Sequence, residues 1–255
     1  MKKLLTTTAF LLIALANVSY GQPSHFEHTK SLAEQGDAEA QVILGYLYAV
    51  GDGIPENDAE AIKWFLLAAE QGNAMAQSRL GVMYGSGEGV PKNNREAVKW
   101  YRLSAEQGFS EAQYNLGIMY ANGNGVPQNA TEAVKWYHLA AEQGSGEAQY
   151  NLGYHYGAGD GVKQDHTEAT KWYRLAAKQG FPEAQHNLGN QYINGEGIPQ
   201  NRIRAYVWWS VAAAQGFTGS VTNRDILADR LTPDELTKGQ DMATRCFESD
   251  FQDCE

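Results

Sequence analysis

A chain of 255 residues with 30 acidic and 20 basic side chains has a formal net charge of −10, a balance that repels phosphate backbones and anionic headgroups and speaks against nucleic acid or a membrane surface as the main partner. Hydrophobic residues make up 43%, enough for a folded core, and 27 glycines beside 11% aromatics imply regularly spaced turns rather than disorder.

At the N-terminus, Lys2 and Lys3 precede an apolar run from Leu4 to Val18, broken only by Thr6 to Thr8 and Asn17. Ser19-Tyr20-Gly21 then supplies small residues at the outer positions of a cleavage site, so residues 1–21 read as an export signal cut after Gly21. A cut after Ala16 leaves a short apolar region, and the run falls short of the ~20 residues a membrane span needs. No cysteine follows either cut, so no lipid anchor is expected. Losing two lysines moves the net charge from −10 to −12, and the expected location is periplasmic or secreted.

From there the sequence repeats itself. Gln-Gly recurs with its glycine at 36, 72, 108, 144, 180 and 216, and no insertion breaks the period of 36. On the same period lie Ala40, Ala76, Ala112, Ala148 and Ala184, each followed by Gln, and then Leu-Gly at 44–45, 80–81, 116–117, 152–153 and 188–189. Ala40, Leu44, Gly45 and Tyr48 form one stripe of a helix, the A helix of the unit. Ala61, Trp64, Phe65, Ala68 and Ala69 form a second stripe, the B helix, and each unit carries a Trp there (64, 100, 136, 172, 208) followed by another aromatic. Between the two stands Gly-x-Gly, usually followed by Val/Ile-Pro, whose first glycine suits the left-handed end of a helix. Gly45 and its equivalents are expected to let the A helix approach the large Trp of the B helix. One such pair cannot bury its own apolar surface, so the units stack.

This divides the chain into a capping half-unit at 22–36, five units over 37–216 and a C-terminal cap over 217–255. In the cap the register fails: Ser220, Arg224 and Asp225 replace Ala, Leu and Gly, and Val221, Ile226, Leu227 and Leu231 supply a different apolar set. Thr232-Pro233-Asp234-Glu235 spells a capping box with Pro at the first helical position, opening a last helix to about Phe247. Cys246 and Cys254 are expected to form a disulfide closing a small loop; a two-cysteine metal site is the rival, with no nearby His to complete it.

These residues resemble the Sel-like repeat family, relatives of the tetratricopeptide repeat, from Phe26 to about Gln215; units such as EAQYNLGIMYANGNGVPQNATEAVKWYHLAAEQG lie near its pattern. The resemblance implies an all-α fold, an α/α right-handed superhelical solenoid of helix-turn-helix repeats, used as an adaptor or binding surface, with exported members touching host or envelope proteins. Cysteine-rich exported members carry a disulfide in each helix pair, which these units lack, so the penicillin-binding or β-lactamase activity proposed for them does not carry over simply.

Catalytic patterns are missing too: Ser-x-x-Lys, Lys-Thr-Gly, Gly-x-Ser-x-Gly, His-Glu-x-x-His and the Walker loop are not spelled. The acidic Gly-x-Gly turns (Asp52, Glu88, Asp160, Glu196) offer single carboxylates, too few oxygens for calcium. Asn129-Ala130-Thr131 has the letters of a glycosylation sequon, but Asn129 or Thr131 is expected to cap a B helix. No cofactor or metal is expected. The Glu-x-x-Lys pairs at 60/63, 96/99, 132/135 and 168/171 read as solvated B-helix pairs.

The A helices supply the expected binding face. With Leu44 at 0°, residues 39, 42, 46 and 49 lie at about 140° to 220°, opposite the buried stripe. Across the units this face carries Tyr46, Tyr114, Tyr150, Tyr154, His186 and Asn190, with Arg79, Asn115, Asn151 and Asn187 beside it. Tyrosines suit protein recognition, but they equally suit packing between units. The asparagines either pair with an extended peptide or satisfy backbone groups of neighbouring units. The expected function is therefore a non-catalytic, monomeric exported adaptor for a protein or peptide held on the concave A face; the alternatives are an enzyme acting on cell wall or β-lactams and a structural or chaperone-like periplasmic factor.

Overall fold

The computed structural model describes residues 23–254; the export signal lies outside the described residues. Every regular element among them is a helix, and the helices alternate as A and B members of hairpins. The chain divides into two compact units, residues 1–93 and 94–255.

The first unit contains α1 (Pro23–Glu34), α2 (Ala38–Val50), α3 (Asp58–Glu70) and α4 (Ala74–Ser86). The second contains α5 (Asn94–Glu106), α6 (Ser110–Asn122), α7 (Ala130–Glu142), α8 (Gly146–Ala158), α9 (His166–Lys178), α10 (Pro182–Asn194), α11 (Arg202–Ala214), α12 (Thr218–Ala228) and α13 (Pro233–Glu248). Within each, every helix up to α12 packs on the one before it, so that a B helix meets both its own A helix and the A helix that follows.

The period in the sequence is a period in burial. Leu44, Leu80, Leu116, Leu152 and Leu188 are all 0% exposed, as are Ala76, Ala112, Ala148 and Ala184. Each such leucine is worth about 1.5–3 kcal/mol of transfer free energy, and each repeat contributes the same set. The turns repeat equally. Gly51, Gly87, Gly123, Gly159 and Gly195 end the A helices with φ between 69° and 88°, their amides bonding the carbonyl four residues back. The Gln-Gly pair ends each B helix in a Schellman motif: Gly72 donates to the Ala69 carbonyl and Asn73 to the Ala68 carbonyl. Asn73 then caps the next A helix, its side chain accepting from the Ala76 amide at 3.0 Å, so one short segment ends a helix and starts another. Asn129 caps α7, accepting from Glu132 at 3.1 Å, while Thr131 instead donates to the Gly161 carbonyl of the next repeat.

The glycines inside the A helices do permit a close approach, but not to the residue the sequence suggested. A Cβ on Gly45 would fall 2.7 Å from Phe65, on Gly117 2.6 Å from Tyr137, on Gly153 2.7 Å from Tyr173 and on Gly189 2.5 Å from Trp209. The partner is in each case the aromatic after the repeat Trp. The Trp points elsewhere: Trp172 packs with Ala133, Val134, Tyr137 and Ala140 of the preceding hairpin and stands 5.5 Å from the His138 ring. Two adjacent residues on a helix point about 100° apart, so one serves its own hairpin and the other the neighbour.

A second repeated device joins the hairpins. Gln41, Gln77, Gln113, Gln149 and Gln185 are buried, and each donates at 3.1 Å to a carbonyl near the end of the preceding B helix (Ala33, Ala69, Ala105, Ala141, Ala177). Gln41, Gln113, Gln149 and Gln185 also accept from the Gln of a Gln-Gly turn (Gln71, Gln143, Gln179 and Gln215) at 2.7–2.8 Å.

At the C-terminal end α12 and α13 both pack on α11. The capping box at Thr232 is formed in both directions, and α13 runs to Glu248. Cys246 and Cys254 are disulfide-bonded and fully buried, within the cluster that holds Ala176, Ala177, Tyr206 and Trp208. The loop they close lies back on the repeats, Gln252 donating to the Lys178 carbonyl at 3.0 Å.

Candidate interaction surface

In the first unit Tyr46, on the third turn of α2, sits edge-on to Phe65 of α3 with centroids 5.2 Å apart. Arg79 of α4 lays its guanidinium over the Tyr46 ring, 5.1 Å from the centroid, and its Nε donates to the Tyr46 hydroxyl. Both side chains are half-buried.

In the second unit Tyr114 of α6 leans on Tyr137 of α7 at 6.0 Å, and Tyr150 of α8 leans on Tyr173 of α9 at 6.1 Å, with interplanar angles of 42° and 45°. These are two copies of one arrangement. Burial pushes all four hydroxyls above the ordinary phenol value of 10; Glu147 adds to this at Tyr114, and Glu183 and Tyr154 add to it at Tyr150. Asn151 works the other way at Tyr114, and Asn187 at Tyr173, by side-chain hydrogen bonds to the hydroxyls. At neutral pH the four phenols are therefore protonated and able to donate.

Two members of the asparagine ladder, Asn151 and Asn187, thus bond tyrosine hydroxyls, where the sequence reading offered backbone groups or a peptide. Asn115 and Asn190 are half-buried on α6 and α10. Tyr114, Tyr150 and His186 are half-buried, and Val42, which shares their place in the repeat, is only 6% exposed. The helical wheel places this row opposite the hairpin core, but a helix in a stack is covered on a second side by the next repeat. What remains open is Tyr154. Tyr154 is 54% exposed, its ring edge-on to His155 at 5.7 Å. His155 is itself buried, with Nδ1 2.9 Å from the Asp160 carbonyl oxygen, which fixes the ring against the turn.

His186 closes the row. Its Nδ1 lies 2.8 Å from Ser220 Oγ, its ring 4.9 Å from that of Phe217, and its carbonyl accepts from Trp209 Nε1 at 3.2 Å. Burial lowers its pKa below the ordinary 6.5, which keeps the ring neutral at neutral pH. A serine beside a neutral histidine has the outline of a nucleophile and its base. Ser220 is 0% exposed, however, so no substrate reaches its oxygen, and the contact serves to dock the cap on the last repeat.

Among the described residues no group of three or more His, Cys, Asp or Glu could hold a metal ion, and no helix is long and apolar enough to cross a membrane. Two concavities, both open to solvent, run along α13, one lined by Asp234, Lys238, Asp241 and Arg245 and the other by Val211, Ala243 and Phe247. Sequence reasoning missed the Gln pairs and the Ser220 contact. The first had a usable signal, since both members of each pair recur every 36 residues.

The Sel1 repeat profile matches residues 38–73, 74–109, 110–145, 146–181 and 182–217. The chain is similar to the crystal structure of a Sel1 repeat protein from Oxalobacter formigenes at 34% identity, with a TM-score of 0.76, over 93% of this chain and 98% of that one. It is also similar to a protective antigen of uropathogenic Escherichia coli with an SLR fold, at 29% identity and a TM-score of 0.63, over 96% of this chain; it spans 60% of the antigen's length. Among curated proteins none matches the sequence.

Proposed function

Because the chain belongs to the Sel1 repeat family, whose solenoids are commonly protein-interaction scaffolds, we propose that it is an exported, non-catalytic adaptor that binds a protein or peptide on the face presented by its A helices. The carrying observation is Tyr154: a large aromatic, 54% exposed, held by fixed neighbours on a rigid helix. An exposed aromatic on a preorganised support loses little entropy on binding, the property of an interaction hot spot. The buried state of Ser220 and the open form of the concavities support a surface that holds a partner over a cleft that transforms a substrate. Export rests on residues 1–21 together with a disulfide that persists in an oxidising compartment. The similar Escherichia coli protein is a protective antigen present in uropathogenic strains, which supports the same reading.

A photo-crosslinking amino acid placed at 154 or 190 on the A face, and at 139 on the exposed side of α7, tests the assignment in intact cells. One partner captured from 154 and 190 and absent from 139 is the expected result. Equal capture from 139, or capture from 139 alone, would retire the A face. Fractionation checks export directly: chain retained in the cytoplasm with residues 1–21 uncleaved removes that part.

A further inference from the structure

We propose that Tyr154 and Glu183 form a receiving site for an arginine side chain of the partner, an inference that rests on the A-face reading and names the chemistry it recognises. The protein contains its own precedent. Tyr154 stands at the same place in its repeat as Tyr46, and Asn187 at the same place as Arg79. In the first unit Arg79 covers the Tyr46 ring with its guanidinium and bonds the hydroxyl, so the cation over this tyrosine comes from within. In the second unit the short amide of Asn187 is engaged with the Tyr173 hydroxyl, and the Tyr154 ring is left 54% exposed.

The surroundings differ as well. The repeat carries a glutamate at one place (Glu39, Glu111, Glu147, Glu183) that Met75 alone interrupts, so the hairpin that supplies the internal guanidinium lacks the carboxylate, while Asn187 keeps Glu183, an exposed carboxylate whose field reaches the Tyr150 hydroxyl. Val42 is likewise exchanged for Tyr150, whose hydroxyl is within electrostatic reach of both Glu183 and Tyr154. The exposed Tyr154 ring therefore stands where the other unit's tyrosine meets its own arginine, and Glu183 lies one helical turn before Asn187 on the same helix. A guanidinium within about 6 Å of the ring centroid gains the cation–π attraction, and its planar shape and weak hydration favour it over an ammonium at such a site. The overall charge of −10 steers a basic partner toward this surface.

The test uses the full chain with isotope-labelled tyrosine rings, titrated at low salt with N-acetyl-arginine amide and with its neutral isostere, N-acetyl-citrulline amide. Arginine amide is expected to shift the Tyr154 ring saturably and to bind at least about threefold more tightly than citrulline amide. Tyr154→Leu should abolish the response among the remaining labelled rings at Tyr150 and Tyr173, and Glu183→Gln should weaken arginine binding about threefold at low salt and less at high salt. Asn187→Arg grafts the first unit's arrangement into the second: the introduced guanidinium should shift Tyr154 without ligand and make the site unresponsive to added arginine. Equal binding of citrulline and arginine overturns the proposal, as does an Asn187→Arg chain that melts like wild type and still responds fully. Should Asn187→Arg fail to fold, the two other variants and the citrulline comparison decide. If crosslinking maps the partner to position 154 but arginine amide does not compete, the A face stands and the arginine site falls. If arginine saturates Tyr154 while crosslinks form only at 139, the cation site stands and the adaptor face falls.

Discussion

Gly153→Ala measures which aromatic closes the hairpin. The added methyl would lie 2.7 Å from Cδ1 and 2.8 Å from Cε1 of Tyr173, inside any normal carbon contact. The ring cannot retreat: Tyr173 is 5% exposed, Tyr150 leans on it at 6.1 Å, and Asn187 holds its hydroxyl. Overpacking of this kind costs about 2–3 kcal/mol, and the gain in helix propensity from Gly to Ala returns about 1 kcal/mol. The net expectation is a loss of about 1.5 kcal/mol, which for a chain of this size lowers Tm by roughly 3–6 °C. Urea and thermal melts of six chains, each background with and without Gly153→Ala, complete the comparison. In a Tyr173→Leu background the clash is relieved and Gly153→Ala should become neutral or stabilising by up to ~1 kcal/mol. In a Trp172→Leu background the full loss should persist, because Trp172 packs on the preceding hairpin. Relief by Trp172→Leu and none by Tyr173→Leu would refute the packing described here.

Two further perturbations address the stack and its cap. Gln149→Leu keeps shape but leaves the Ala141 carbonyl and the Gln179 amide without the partners they have at 3.1 and 2.8 Å; a loss of about 2 kcal/mol in urea melts is expected, with faster hydrogen exchange at the α7–α8 junction, and a change below ~0.5 kcal/mol would sink the stitching role. Glu235 has a pKa below the ordinary 4.5 because the Thr232 amide, and then the Thr232 hydroxyl, bond its carboxylate. A depressed pKa contributes stability above the unfolded value that is lost as pH falls through the folded one, so protection of the first turn of α13 should decline below about pH 4.5, and Glu235→Gln should remove that pH dependence without affecting the repeats.

The hairpins were legible because a stacked repeat forces the same environment on every copy: Ala112, Leu116 and Gly117 recur since each must be buried in the same way, and the period exposes them. Gly-x-Gly and Gln-Gly were legible because only a few residues suit the left-handed ends of helices. The choice between Trp136 and Tyr137 as partner of Gly117 was not legible, since both recur with equal strictness and only the rotation of α7 separates them.

The interaction face was half legible for a related reason. A helical wheel treats α6 or α8 as a cylinder with one buried side, which places Tyr114, Tyr150 and Tyr154 together. The packing divides them: Tyr114 and Tyr150 lean on Tyr137 and Tyr173 of their own hairpins, with Asn151 of the next repeat on the Tyr114 hydroxyl, while Tyr154 alone of the three keeps an open ring. The difference between Tyr46 and Tyr154 lies not in either tyrosine but in residue 79 against residue 187, one repeat further on. The exposure of a ring in such a stack is therefore decided at a neighbour's position: Arg79 and Met75 depart from the repeat's Asn and Glu and the guanidinium covers Tyr46, whereas Asn187 and Glu183 keep the repeated residues and leave the Tyr154 ring open with a carboxylate on the next A helix.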